Sequence, residues 1–260
     1  MEYRNYDNVN ENVRENYKMA RIYQSPNYVK EMREKYAVPS FYLSFKEILE
    51  KLNAFIDLSD PDCNLPNIQH AFQSAEQAQK DGKPDWFVLG LFIHDFGKLL
   101  YLQNDEKNGQ SMKNQWGIVG DTFIVGVRIP DEIVLPEFNN LMRPLSEMGN
   151  YEKHCGLDNM FISYGHDEYL YQVLKNGING NSLPDEILYC IRYHSLYLHH
   201  KDEVYDRFLN NRDREMLSLL KEFNGYDLYT KSEVIYDVRE MGMKYFNLWR
   251  KYFELDGLYL

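Results

Sequence analysis

Residues 89–101 read Leu-Gly-Leu-Phe-Ile-His-Asp-Phe-Gly-Lys-Leu-Leu-Tyr, which sets His94, Asp95 and Lys98 into an otherwise apolar run of helix length. At about 100° per residue, a helix here carries His94 and Lys98 one turn apart on one face, with Asp95 beside them. Leu89, Leu91, Phe92, Ile93, Phe96, Leu99 and Leu100 cover the other directions, so the helix is expected to be buried on most sides. A carboxylate and an ammonium are costly to bury without partners. A metal site is the first hypothesis, and the rest of the chain must supply further ligands.

Working outward, residues 12–36 have a helical pattern interrupted at Ser25-Pro26, where Ser25 suits a cap and Pro26 a first turn. Residues 43–56 read as another helix, and 57–66 as a polar, proline-punctuated loop. His70 opens a short helix that stops near Gly82, and Pro84 starts the one that carries His94 and Asp95. Residues 104–114 read as an exposed loop. The glycines and β-branched residues of 117–126 favour a turn or short strand pair. Further helices are expected over 184–195, 202–209, 212–224 and 233–252, with Asp227 between the last two. The expected architecture is mainly α, a single helical domain over 1–260 with a small β-turn or hairpin insertion and a flexible leader over 1–11.

This order spaces His70, His94-Asp95, His166, His194 and Asp227 over several helices. Imidazole and carboxylate together suit iron or manganese, and a two-metal site needs a carboxylate able to bridge. Asp95 is the natural bridge. Taken singly, a helical histidine is more often a core or surface residue than a ligand. His199 and His200 look like a solvated helix end, and His154 beside Cys155 reads as structural. Lys98 either points a cation at a metal-bound substrate or snorkels to the surface, and Lys231 has the same two readings. Gly120-Asp121 either grasps hydroxyls or simply makes a tight turn.

The net charge of −11 argues against nucleic acid, which attracts clustered Lys and Arg. Cys63, Cys155 and Cys190 have no C-x-x-C spacing and fit neither a disulfide framework nor a zinc ribbon. The polar first residues and the short apolar run at 86–93 suggest neither a signal segment nor a membrane span. A cytoplasmic, monomeric protein is expected.

The motifs His70-Ala-Phe-Gln-Ser-Ala-Glu76, His94-Asp-Phe-Gly-Lys98, Trp116-Gly-Ile-Val-Gly-Asp121, Ser163-Tyr-Gly-His166, Arg192-Tyr-His-Ser195 and Glu222-Phe-Asn-Gly-Tyr-Asp227 together resemble the myo-inositol oxygenase family of the HD-domain superfamily. The resemblance implies an enzyme that cleaves myo-inositol with O2 to D-glucuronate and water. It implies a mixed-valent Fe(II)/Fe(III) pair, O2 as co-substrate and no organic cofactor. By matching positions, His70, His94, Asp95 and Asp227 would hold one iron and Asp95, His166 and His194 the other, with Lys98 and Asp95 catalytic. Arg4, Asp57, Leu58, Ser59, Lys98, Gly120, Asp121, His194, Ser195 and Lys231 match substrate-contacting positions. Ile124 stands where the family's turn has proline, and residues 104–114 are longer than the family pattern. The rival readings are an HD-type phosphohydrolase, which Asp57, Asp60, Asp62 and Asp121 suit poorly, and a non-catalytic metal- or polyol-binding protein.

Overall fold

Ser25 divides the N-terminal helical run as its side chain dictates, accepting from the Tyr28 N–H to cap α2 (Pro26–Lys35) behind α1 (Glu11–Tyr23). The computed structural model describes residues 6, 9–60, 65–141, 145–229 and 234–260. After α2 come β1 (Tyr42–Ser44), α3 (Phe45–Asn53), α4 (Asn67–Lys80), α5 (Asp85–Ile93), α6 (His166–Lys175), α7 (Asp185–Tyr193), α8 (Tyr197–His200), α9 (Asn211–Tyr229), α10 (Val238–Trp249) and β2 (Gly257–Tyr259). The chain is mainly helical. Ser44 and Glu47 form a reciprocal capping box that starts α3.

The small sheet lies away from where the glycine-rich segment suggests it. β1 pairs antiparallel with β2, Leu43 opposite Leu258, and ties the chain's C-terminal end to α3. Residues 117–126 instead form turns, with Ile124 bridging Ile162. The Ile124 N–H donates to the Tyr205 hydroxyl at 3.3 Å, a bond that proline at this position could not make.

α5 is buried all round from Phe87 to Ile93, as its composition requires. Phe92 stacks on Tyr245 and Phe72 and meets Phe96 edge-on, so one ring anchors α5 to α4 and α10. The run 89–101 is not one helix. α5 ends at Ile93, Asp95 takes φ −91° and ψ 0°, and a 3₁₀ helix follows over Phe96–Gln103. Because side chains three apart eclipse in a 3₁₀ helix, Asp95 stacks directly over Lys98.

Gly97 permits this change of helix type. A Cβ there would lie 1.9 Å from the His166 carbonyl oxygen, so the 3₁₀ segment presses backbone to backbone on the start of α6. We expect Gly97→Ala to cost about 3 kcal/mol and lower the melting temperature by roughly 6–12 °C, because rigid main chain must move. Gly225→Ala in α9, where nothing lies within 4 Å, should be neutral or stabilising. Thermal unfolding of the pair checks this; equal melting temperatures would refute the contact.

Other boundaries also differ from expectation. Residues 202–209 contain only a 3₁₀ turn at Asp206–Phe208, and α9 continues to Tyr229, placing Asp227 on its last turn rather than between helices. Within 104–114, Gln110 and Ser111 are buried, Gln110 meeting the Tyr36 hydroxyl, so this segment is pinned at its centre rather than exposed throughout.

His199 and His200 are likewise buried, not a solvated end. His200 Nε2 donates to the His194 carbonyl at 2.9 Å and so supports the backbone of that residue. His199 has no partner at Nδ1, and burial, with His200 and Lys221 nearby, pushes its pKa down from 6.5 to about 3. Below pH 6.5 the unfolded chain therefore binds a proton that the folded chain refuses. This group should cost about 1.4 kcal/mol of stability per pH unit as pH falls from about 6.5 towards 3. His199→Gln should flatten the pH dependence by about one proton in urea unfolding between these limits. An unchanged slope would contradict the burial argument.

Candidate metal centre

Five helices deliver the predicted ligands to one place. His70 projects from the first turn of α4, and His94 and Asp95 occupy the junction after α5. His166 opens α6, His194 follows α7, and Asp227 ends α9. Ending α5 and α7 at a histidine matters locally. His94 Nδ1 donates to the Leu91 carbonyl at 2.6 Å and His194 Nδ1 to the Ile191 carbonyl at 2.8 Å, each reaching back three residues. His166 Nδ1 donates to the Ile118 carbonyl at 2.7 Å. A carbonyl only accepts, so each Nδ1 carries its ring proton and Nε2 is the nitrogen turned to the centre.

Two overlapping clusters result. His70, His94 and Asp227 converge, with His70 Nε2 at 2.7 Å and His94 Nε2 at 3.3 Å from Asp227 Oδ1. On the other side His166 Nε2 and His194 Nε2 lie 3.2 and 4.0 Å from Asp95 Oδ1 and 3.0 Å from each other. Asp95 joins the two, since its Oδ2 lies 3.5 Å from His94 Nε2.

The donor set fits a pair of metal ions. The His166 and His194 Nε2 atoms face each other at 3.0 Å while each Nδ1 is engaged by a backbone carbonyl, so in the neutral rings that a metal requires neither Nε2 has a proton to offer the other. Two lone pairs so placed repel unless a cation lies between them, and ligands at about 2.1 Å on adjacent corners of one ion stand about 3 Å apart. Nitrogen and carboxylate oxygen without thiolate suit iron or manganese.

Electrostatics divide the site. Burial opposes ionisation of Asp95 and Asp227, but the neighbouring histidines, with Lys98 beside Asp95, outweigh it and hold both carboxyls well below their usual range. Burial disfavours a charged His94, yet the two carboxylates raise its pKa to about 9, so the metal-free site keeps a proton there. His194 goes the opposite way: burial and the neighbouring imidazoles of His166 and His94 push it well below 6.5. Lys98 is buried, with Nζ 2.8 Å from Asp57 Oδ2 and 2.9 Å from Asp95 Oδ2. Burial alone would lower its pKa; the two carboxylates overcome this and keep it an ammonium.

A cavity of about 90 Å³ opens beside these groups, space for several water molecules. Of the predicted contacts, Asp57, Ser59, Lys98, Gly120, Asp121, His194 and Ser195 line it, Gly120 with φ +105°. Leu58 does not; its N–H donates to Gln115. Arg4 and Lys231 lie outside the described residues. The lining residues that the sequence reading did not single out include Tyr6, Tyr17 and Asn67. Tyr6, placed by sequence in a flexible leader, has its hydroxyl 3.0 Å from that of Tyr17, which donates to Asp121 at 3.0 Å. Asn67 could have been found, being one helical turn before His70.

A helical domain whose His-Asp pair joins two His/Asp clusters defines an HD-type protein with a metal centre. The sequence comparisons narrow this class. The myo-inositol oxygenase family matches residues 10–256. Inositol oxygenase 1 of Arabidopsis thaliana is 41% identical, covering 96% of this chain and 82% of that protein. Inositol oxygenase of Dictyostelium discoideum is 40% identical over 97% of this chain and 88% of its own length, and that of Danio rerio 38% over 96% and 91%. The chain belongs to the myo-inositol oxygenase family.

Proposed function

We propose that the chain, acting as one domain, is an inositol oxygenase that cleaves the ring of myo-inositol with O2 to give D-glucuronate and water. The observation that carries the reading is the two His/Asp clusters joined at the His94-Asp95 pair, with the Lys98 ammonium on the Asp95 carboxylate at the cavity wall. We assign one iron to His70, His94, Asp95 and Asp227 and the other to Asp95, His166 and His194. Bound there, iron supplies Lewis acidity and the electrons that O2 activation requires.

The side chains do the rest. A neutral polyol offers no charge, so many hydrogen bonds and chelation must hold it. Asp57, Asp121 and the Ser59 and Ser195 hydroxyls offer acceptors and donors along one wall, with Arg4 and Lys231 as further proposed contacts. Ser59 Oγ and N–H both donate to Asp57 Oδ1, at 2.7 and 2.8 Å, which aims the other oxygen of Asp57 at Lys98. Lys98, fully protonated, favours loss of a proton from a substrate hydroxyl by stabilising the negative charge left behind.

A phosphate ester suits this wall poorly. Among the described lining residues Lys98 is the only lysine or arginine, and its charge is already shared by two carboxylates. Protein loaded anaerobically with ferrous iron and partly oxidised should consume O2 in an oxygen electrode only when myo-inositol is present. Release of phosphate from nucleotides without inositol-dependent O2 uptake would overturn the assignment.

A further inference from the structure

Asn67 belongs to none of the ligand or substrate positions assigned above, yet its side chain touches the carboxylate that joins the two clusters. Its Nδ2 lies 2.8 Å from Asp95 Oδ2, the same oxygen that accepts from Lys98 at 2.9 Å. The amide orientation follows from chemistry. Ionised Asp95 only accepts, so the nitrogen of Asn67 must face it. The other end of the amide, Oδ1, is buried and has no hydrogen-bond partner.

An unmatched buried carbonyl is a cost that an apolar side chain of the same size would avoid. The donor on the opposite side of the amide is what that cost maintains. Asn67 is also fixed from behind. It opens α4 directly after Pro66, its N–H donates to the Phe55 carbonyl at 2.9 Å, and His70 follows one turn later.

The consequence lies in how Asp95 is turned. Both side-chain donors, Asn67 and Lys98, bind Oδ2, whereas Oδ1 faces the Nε2 atoms of His166 and His194. Lys98 alone would leave the carboxylate free to swing, because its ammonium is shared with Asp57 at 2.8 Å. A second donor from a different helix removes that freedom. We propose that Asn67 is a positioning residue that holds the Asp95 carboxylate in the orientation needed to span both clusters. The inference rests on the two-metal reading of the site.

The test is anaerobic titration of the full chain with ferrous iron, followed by partial oxidation and electron paramagnetic resonance. Wild-type protein should bind two ions and, once partly oxidised, show a spin-coupled signal. Asn67→Leu should weaken one of the two ions about 10- to 100-fold and diminish that signal. Asn67→Asp preserves volume but replaces the donor with an acceptor, so it should lose the coupled signal more completely than the leucine variant. That order separates hydrogen bonding from packing and serves also if Asn67→Leu folds poorly. Wild-type affinity and coupling in Asn67→Asp would overturn the role of Asn67 while leaving the function intact. Fewer than two ions in the wild type would instead overturn the two-metal reading itself.

Discussion

Asp95→Ala should abolish both metal positions at once, with iron content falling below one ion per chain and turnover by about 10³-fold or more. Among the described site residues, Asp95 is the carboxylate that lies within 4.0 Å of histidines of both clusters. Asp95 Oδ1 is 3.2 Å from His166 and Oδ2 is 3.5 Å from His94, and the same carboxylate anchors Lys98 and Asn67. Removing it leaves four imidazoles with Asp227 as the sole carboxylate among these ligands. It also leaves Lys98 paired with Asp57 only. Breaking a buried ion pair from one side typically costs about 3–5 kcal/mol, so the variant should melt lower as well. Iron analysis and electron paramagnetic resonance check the result; two spin-coupled irons in Asp95→Ala would contradict the bridging assignment.

Lys98→Ala should behave differently, keeping iron while turnover falls about 10²- to 10³-fold. The ammonium is not a ligand, and its two carboxylate partners keep it protonated, so its contribution is charge placed at the cavity wall. The complication is Asp57, whose carboxyl is held low against burial chiefly by Lys98. Without that cation Asp57 should take up a proton, and part of the effect would then belong to Asp57. The double variant Lys98→Ala/Asp57→Asn removes this ambiguity, since its charge is balanced as in the wild type. If Lys98 acts on the substrate, the double variant regains stability but not turnover. Unchanged turnover in Lys98→Ala would reduce the residue to a structural cation.

The residues that converge at the site were legible in the sequence and the local geometry less so, for separable reasons. Buried polar residues in apolar helices need partners whatever the backbone does, so His94, Asp95 and Lys98 pointed to a site before any coordinates. The form of the backbone at that point depended on a contact with another element. The 3₁₀ helix that replaces the expected α-helix brings Gly97 against the His166 carbonyl, and no local pattern in 89–101 encodes a residue 69 positions away. The same holds for His199 and His200, whose polarity suggested solvent but which are buried in α8, a helix that packs on α9. Asn67 was missed because an asparagine near a helix start reads as a cap. Its side chain instead crosses to Asp95, a direction that its place one turn before His70 hints at and tertiary packing reveals.

The most direct test supplies isotopically labelled O2 with myo-inositol to the iron-loaded protein and follows the label into the product by mass spectrometry. The account predicts one molecule of glucuronate per O2 consumed, carrying one labelled oxygen atom, with the other in water. Glucuronate carrying only solvent oxygen, or O2 uptake without glucuronate, would contradict it.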